Sequence, residues 1–112
     1  MPLIKVRSDI AANAVATPLQ GNQYEFLPFD ALVEFAVLAD AGDNITATVY
    51  SGSDVLQQNA RADELAVASP ILYPDHYSLQ DVAMQGERLN VILQEAGGIA
   101  STFRVAVRIT PL

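Results

Sequence analysis

The last third of the chain alternates apolar and polar residues with a period of two. The apolar members are Leu89, Val91, Leu93, Phe103, Val105, Val107 and Ile109. Alternation of this kind indicates β-strands with one buried face. Because Gly97-Gly98 lies between the two runs, the sequence predicts a tight antiparallel hairpin from Gly86 to Ile109, with these side chains in the core.

Shorter segments of the same character precede this pair and are separated by clusters of Gly, Pro, Asn and Asp. Leu3–Arg7 and Ile45–Tyr50 both alternate in this way. Counting all such segments predicts seven or eight strands in one domain, residues 1–112, with no long amphipathic helix between them. This pattern favours an all-β fold, an antiparallel sandwich or jelly roll. Residues 1–19 are interpreted as an extended N-terminal arm or an edge strand.

Two segments allow a helix. Asp30–Asp40 places Val33, Phe35 and Val37 on one strand face, yet Asp30 could also cap a helix that closes at Gly42. The regular alternation favours the strand. Ser78–Asp81 has the spacing of a short capped helical turn, inside an otherwise irregular excursion from Pro70 to Asp81.

Charge and composition exclude several classes of partner. The net charge is −7, and the six basic residues are spread along the chain, so no positive stripe is available for nucleic acid or for an anionic membrane. Hydrophobic residues make up 51% of the chain and charged residues only 17%, which favours a surface partly covered by a partner. Cysteine is absent, so disulfides and thiolate metal sites are excluded.

No motif predicts catalysis or a cofactor. The chain has one histidine, His76, and no cysteine, which is too few ligands for zinc. Asp40, Asp43 and Asn44 offer oxygen ligands for calcium, although these residues are also ordinary in turns. The carboxylates are scattered over several elements, and phosphate-binding glycine loops are missing. The sequence therefore predicts a protein that is not an enzyme and needs no cofactor.

Two sets of side chains are candidates for an interaction surface. Tyr73, His76 and Tyr77 form an aromatic cluster that could bind carbohydrate, or could anchor a long loop to the core; the sequence favours the anchor. Three arginines belong to the polar positions of the last third of the chain: Arg88, Arg104 and Arg108. In an acidic protein, they are expected to meet carboxylates within the domain or on a neighbouring copy.

Several stretches together resemble a compact jelly roll of the kind found in small phage and viral virion proteins, of the minor capsid or decoration type. They are Val49-Tyr50-Ser51-Gly52-Ser53 through Leu56, Tyr73-Pro74-Asp75, Gly86-Glu87-Arg88-Leu89 and Phe103–Ile109. The resemblance implies a structural role without chemistry, as a homo-oligomer that contacts other shell proteins. It also implies synthesis in the host cytoplasm and a final location in the virion. The competing hypothesis is a carbohydrate-binding module that uses the Tyr73–Tyr77 loop.

Overall fold

The chain forms only β-strands as regular structure in the parts that the computed structural model describes, residues 3–40, 44–66, 69–73 and 75–112. Nine strands occur there: Leu3–Ile10 (β1), Val15–Ala16 (β2), Ala31–Ala39 (β3), Ile45–Ser51 (β4), Asp54–Arg61 (β5), Asp63–Glu64 (β6), Leu79–Ala83 (β7), Leu89–Glu95 (β8) and Ser101–Pro111 (β9). The predicted all-β class is confirmed, and segment 30–40 is a strand. The helical turn predicted at Ser78–Asp81 is wrong, because β7 begins there. Among the described residues, no helix has the length and apolarity needed to cross a membrane.

The strands form two sheets. Sheet A has five strands in the order β1-β9-β3, with β7 and β6 both lying along the far side of β3. Sheet B has four strands in the order β2-β8-β4-β5. Every pairing is antiparallel except the two-residue contact of β6 with β3. In the described part of residues 1–19, β1 is an edge strand of sheet A and β2 is an edge strand of sheet B.

The predicted hairpin of the last third is wrong, because β8 and β9 lie in different sheets. β8 pairs with β4 and β2, whereas β9 pairs with β1 and β3. Gly97-Gly98 therefore carries the chain across the sandwich. Alternation determines which face of a strand is buried. Two strands with buried faces fit this pattern equally well whether they pair in one sheet or face each other across the core from two sheets.

Glu95 stabilises this crossing. Its carboxylate accepts hydrogen bonds from the N–H groups of Gly97, Gly98 and Ile99, at 2.8, 2.8 and 3.3 Å, and from that of Asn13 at 3.1 Å. The residue is 1% exposed. The Asn13 N–H, followed by those of the turn, holds the pKa of Glu95 below its ordinary value, although burial acts in the opposite direction. Backbone amides of the turn thus bond to a carboxylate instead of to a partner strand.

The core lies between the two sheets. Sheet A contributes the odd-numbered residues of β3 and β9, and sheet B contributes those of β4 and β8. The seven apolar residues of the last third are all buried, as predicted. Ala36, Leu38 and Ala106 are buried too, although they lie on the opposite, outer face of sheet A. The described residues of segment 65–78 lie along this outer face, and they include three of the six predicted interaction residues, Tyr73, His76 and Tyr77.

Candidate functional site

The outer face of sheet A carries a cluster of two tyrosines, an arginine and a glutamate. Arg108 on β9 and Glu34 on β3 are cross-strand partners, so both side chains leave the same face. The Tyr73 hydroxyl donates a hydrogen bond to Glu34 Oε1 at 3.2 Å, and the Arg108 guanidinium carbon lies 3.6 Å from the centroid of the Tyr73 ring. Tyr77 meets that ring edge-on, with centroids 5.4 Å apart. The cluster therefore fastens Tyr73 and Tyr77 to the sheet through cation–π, aromatic and hydrogen-bond contacts.

Burial at this cluster has an electrostatic consequence for Tyr77. Desolvation raises the pKa of its hydroxyl above the ordinary value, while the neighbouring Arg108 acts in the opposite direction. The hydroxyl therefore keeps its proton throughout the neutral range. It is available as a hydrogen-bond donor and not as a base.

Arg104 fastens the earlier part of the same segment. It lies on β9 two residues from Ala106, on the outer face, and it is only 9% exposed. Its guanidinium donates to the carbonyl oxygen of Ser69 at 2.6 Å and to those of Leu65 and Ala66 at 3.1 and 3.0 Å. The carboxylate partner expected from the sequence is thus replaced by three backbone carbonyls.

His76 closes a turn within the segment. The Nδ1 atom of its ring accepts a hydrogen bond from the backbone N–H of Leu72 at 2.7 Å. The backbone N–H of His76 donates to the Leu72 carbonyl oxygen at 3.0 Å. An acceptor at Nδ1 requires the neutral ring with its proton on Nε2. These contacts give His76 a structural role in the turn.

Arg88 lies apart from the other predicted residues. It comes just before β8 in sheet B, and its Nε donates to Glu25 Oε2 at 2.7 Å in a salt bridge. The Gly21 N–H, and after it the Arg88 side chain, hold the pKa of Glu25 below its ordinary value. Arg88 therefore meets a carboxylate within the domain, as the sequence predicts.

Five of the six predicted interaction residues therefore converge on one surface: Tyr73, His76, Tyr77, Arg104 and Arg108. Sequence reasoning missed Glu34, which accepts the Tyr73 hydrogen bond from the middle of β3. A signal for it exists, since Glu34 is the one charged residue in the apolar run Ala31–Ala39. The proposed calcium turn, Asp40–Asn44, includes residues 41–43, which lie outside the described residues.

A carboxyl pair lies where the sheets approach each other at β5 and β7. Hydrogen bonding to the Asp81 side chain, followed by the charge of that side chain, raises the pKa of Asp54.

Two open grooves flank β1. One, of about 310 Å³, is lined by Leu3, Ile4 and Lys5 together with residues 22–24. The other, of about 210 Å³, runs between β1 and the segment at Ile71 and is lined by three basic side chains, those of Lys5, Arg7 and Arg104. Half of the chain's six basic residues thus border a single groove of an acidic protein.

The described residues contain no group of three or more His, Cys, Asp or Glu side chains placed to hold a metal ion. The aromatic and arginine side chains are engaged in holding the segment to the sheet. Comparison of the chain with protein-family models, curated proteins and solved structures finds no match.

Proposed function

We propose that this chain is a non-enzymatic structural subunit of a virion, a minor capsid or decoration protein that acts through contacts with copies of itself and with other shell proteins. The observation that carries the proposal is the pairing pattern of the strands. The subunit is made in the host cytoplasm and ends in the assembled particle.

The pairing pattern supports a jelly roll. In that fold an antiparallel ribbon of eight strands is rolled up, so the first strand pairs with the last, the second with the seventh, the third with the sixth and the fourth with the fifth. When the two-residue β6 is left out, the corresponding pairs here are β1–β9, β2–β8, β3–β7 and β4–β5. Jelly rolls are used repeatedly for viral shell proteins and for lectins.

The packing of the core favours a shell subunit over a container for a small ligand. Side chains from both sheets fill the space between them, and the largest, including Phe35, Leu89 and Leu93, are fully buried. The two grooves lie instead at the surface beside β1. Contacts of such a domain are therefore made with its outside, which suits association with other subunits.

Native mass spectrometry over a range of concentrations tests this function. A defined multiple of the 12.0 kDa chain, growing with concentration, is the expected result. A single 12.0 kDa species at every concentration, together with no binding to purified shells, would overturn the proposal.

The second candidate is a carbohydrate-binding module, favoured by one observation: Tyr73 remains 49% exposed. A sugar would stack on the part of the ring that Arg108 does not cover. Calorimetry with a panel of oligosaccharides tests it, with Tyr73→Ala as the variant and Phe26→Ala, an exposed aromatic elsewhere, as the matched control. Saturable binding that only Tyr73→Ala abolishes would favour the module over the shell subunit.

A further inference from the structure

The edge of sheet A that β1 forms is basic. β1 pairs with β9 on one side, and its other side is a free edge in the described structure. The side chains of Lys5 and Arg7 are exposed there on the outer face of the sheet, and neither side chain forms an ion pair with a described residue. The third charged residue of β1, Asp9, is partly satisfied within the domain because it accepts a hydrogen bond from the Thr102 hydroxyl at 2.9 Å.

The opposite edge of sheet A is acidic. β6 consists of Asp63 and Glu64, and both side chains are exposed. Glu64 forms an ion pair with Arg61 at 2.6 Å. Asp63 has a weaker contact, the Ser78 hydroxyl at 3.4 Å, so its charge faces solvent largely uncompensated.

The exposed charges of Arg7 on one edge and Asp63 on the other lie at the same level along the strand direction. Arg7 pairs with Arg104 on β9, Arg104 pairs with Leu38 on β3, and Leu38 pairs with Asp63 on β6. Cross-strand partners project from the same face of a sheet. Arg7 and Asp63 are therefore the two ends of one row of side chains that crosses the outer face of sheet A.

The strand directions match over the first part of this edge. β1 and β3 both run antiparallel to β9, so they point the same way, and β7 runs antiparallel to β3. At the height where Arg7 meets Asp63, the β1 of another copy overlaps β7 through Leu3 and Ile4, and the two strands are antiparallel there. Arg7 itself lies beside β6, which runs parallel to β1. Pairing along this edge also satisfies backbone N–H and C=O groups that a free edge leaves unpaired.

We propose that copies of this chain associate head to tail through opposite edges of sheet A, with β1 of one copy beside the β6–β7 edge of the next and Arg7 facing Asp63. This inference rests on the proposed function as a self-associating subunit and names the surfaces that meet. The contact is heterologous, so repetition builds a ring or an open row of subunits. Contact between two like edges would instead bring Lys5 and Arg7 against the same pair of cations.

The charges on β1 decide which strands can bind. Lys and Arg on an edge oppose indiscriminate pairing, since an apolar or basic strand gains nothing from them. An acidic edge at the same height is the partner that compensates them. Because the ion pair lies at the rim of the contact, it selects the register and the partner.

Charge reversal with complementation tests the proposal. Arg7→Asp gives a copy with two acidic edges, and Asp63→Arg gives a copy with two basic edges. Each variant alone should associate only at roughly tenfold higher concentration than the native chain in sedimentation velocity. A one-to-one mixture should recover native association, because every contact in an alternating row is again between opposite charges.

Two variants serve as controls. Ser78→Ala removes the hydrogen bond to Asp63 and keeps its charge, so association should be unchanged. Asp30→Arg changes the net charge as Asp63→Arg does, but it lies at the other end of β3, roughly 25 Å away, and should also leave association unchanged. Circular dichroism checks that every variant is folded.

The outcomes separate this proposal from the proposed function. If the native chain associates and both reversals associate equally well, the edge contact is overturned and the shell role stands. A mixture that fails to recover association lost in the single variants also overturns the contact. A native chain that stays monomeric at every concentration overturns the edge contact, and it overturns the proposed function as well if the chain also fails to bind purified shells.

Discussion

Replacement of Arg104 by methionine should release segment 65–73 from sheet A and destabilise the fold. The substitution keeps an apolar stem of similar length but removes three hydrogen bonds from a charged donor to backbone carbonyls. Each such bond contributes about 1.5–3 kcal/mol when its partner stays buried. Here the carbonyls regain water as the segment lifts, and methionine does not carry the desolvation cost of a buried guanidinium. We therefore expect a net loss of roughly 2–4 kcal/mol, a large part of the stability of a small domain.

Urea unfolding followed by circular dichroism measures this loss. With a slope of about 1.5 kcal/mol per molar, the midpoint should fall by roughly 1.3–2.7 M. Amide hydrogen exchange at Leu65, which donates to the Ala39 carbonyl at 2.9 Å, should accelerate more than exchange in β8. Arg7→Met is the matched control, since Arg7 is the cross-strand neighbour of Arg104 but exposed, and its midpoint should change little. A stability of Arg104→Met within about 0.5 kcal/mol of native would refute the reasoning.

Two further perturbations test the crossing and the core. Glu95→Gln should remove the contribution of this carboxylate to the pH dependence of the unfolding free energy. The pKa of Glu95 is lowered in the folded state, so its stabilisation is fully present above the unfolded pKa of about 4.3. That stabilisation is lost as the pH falls through the pKa of the folded state. Urea midpoints between about pH 7 and pH 3 should therefore fall less steeply for the variant, and equal slopes would contradict the role of Glu95. Phe35→Ala should cost about 3–5 kcal/mol in the same assay because the ring is fully buried, whereas Phe26→Ala should stay within about 0.5 kcal/mol of native.

The sequence predicts the buried faces of the fold better than the strand partners. Period-two alternation identified β4, β8 and β9 and the side chains that each buries, because burial on one face is imposed locally by the pleat. It also favoured the strand at β3, where residues on both faces are buried. Alternation carries no information on which strand lies alongside, so β8 and β9 were joined in one hairpin although they face each other across the core.

One residue in the sequence did distinguish a crossing from a hairpin. Glu95 continues the inward positions Leu89, Val91 and Leu93, and a carboxylate at an inward position needs hydrogen-bond donors. The amides of the glycine turn provide them. The isolated segment Leu79–Ala83 was missed for a different reason: its alternation is short, and Asp81 occupies an inward position that a core strand would fill with an apolar residue.

The candidate site could be predicted only in its composition. Tyr73, Tyr77 and Arg108 do meet, and their contacts agree with the preference for loop anchoring over an open platform. The partners could not be predicted, because segment 65–78 has no periodicity that would place it over sheet A. In particular, no sequence pattern indicates which backbone carbonyls accept hydrogen bonds from Arg104.

The partner of β8 is the most direct test of this account, since the pairing pattern carries both the fold and the proposed function. Nuclear Overhauser effects between backbone protons measure it. We expect them between Val91 and Val49, and between Val105 and Val37, which are partners within sheet B and sheet A. Contacts between Val91 and Arg104, the pair that a two-residue Gly97-Gly98 hairpin would align, would contradict it.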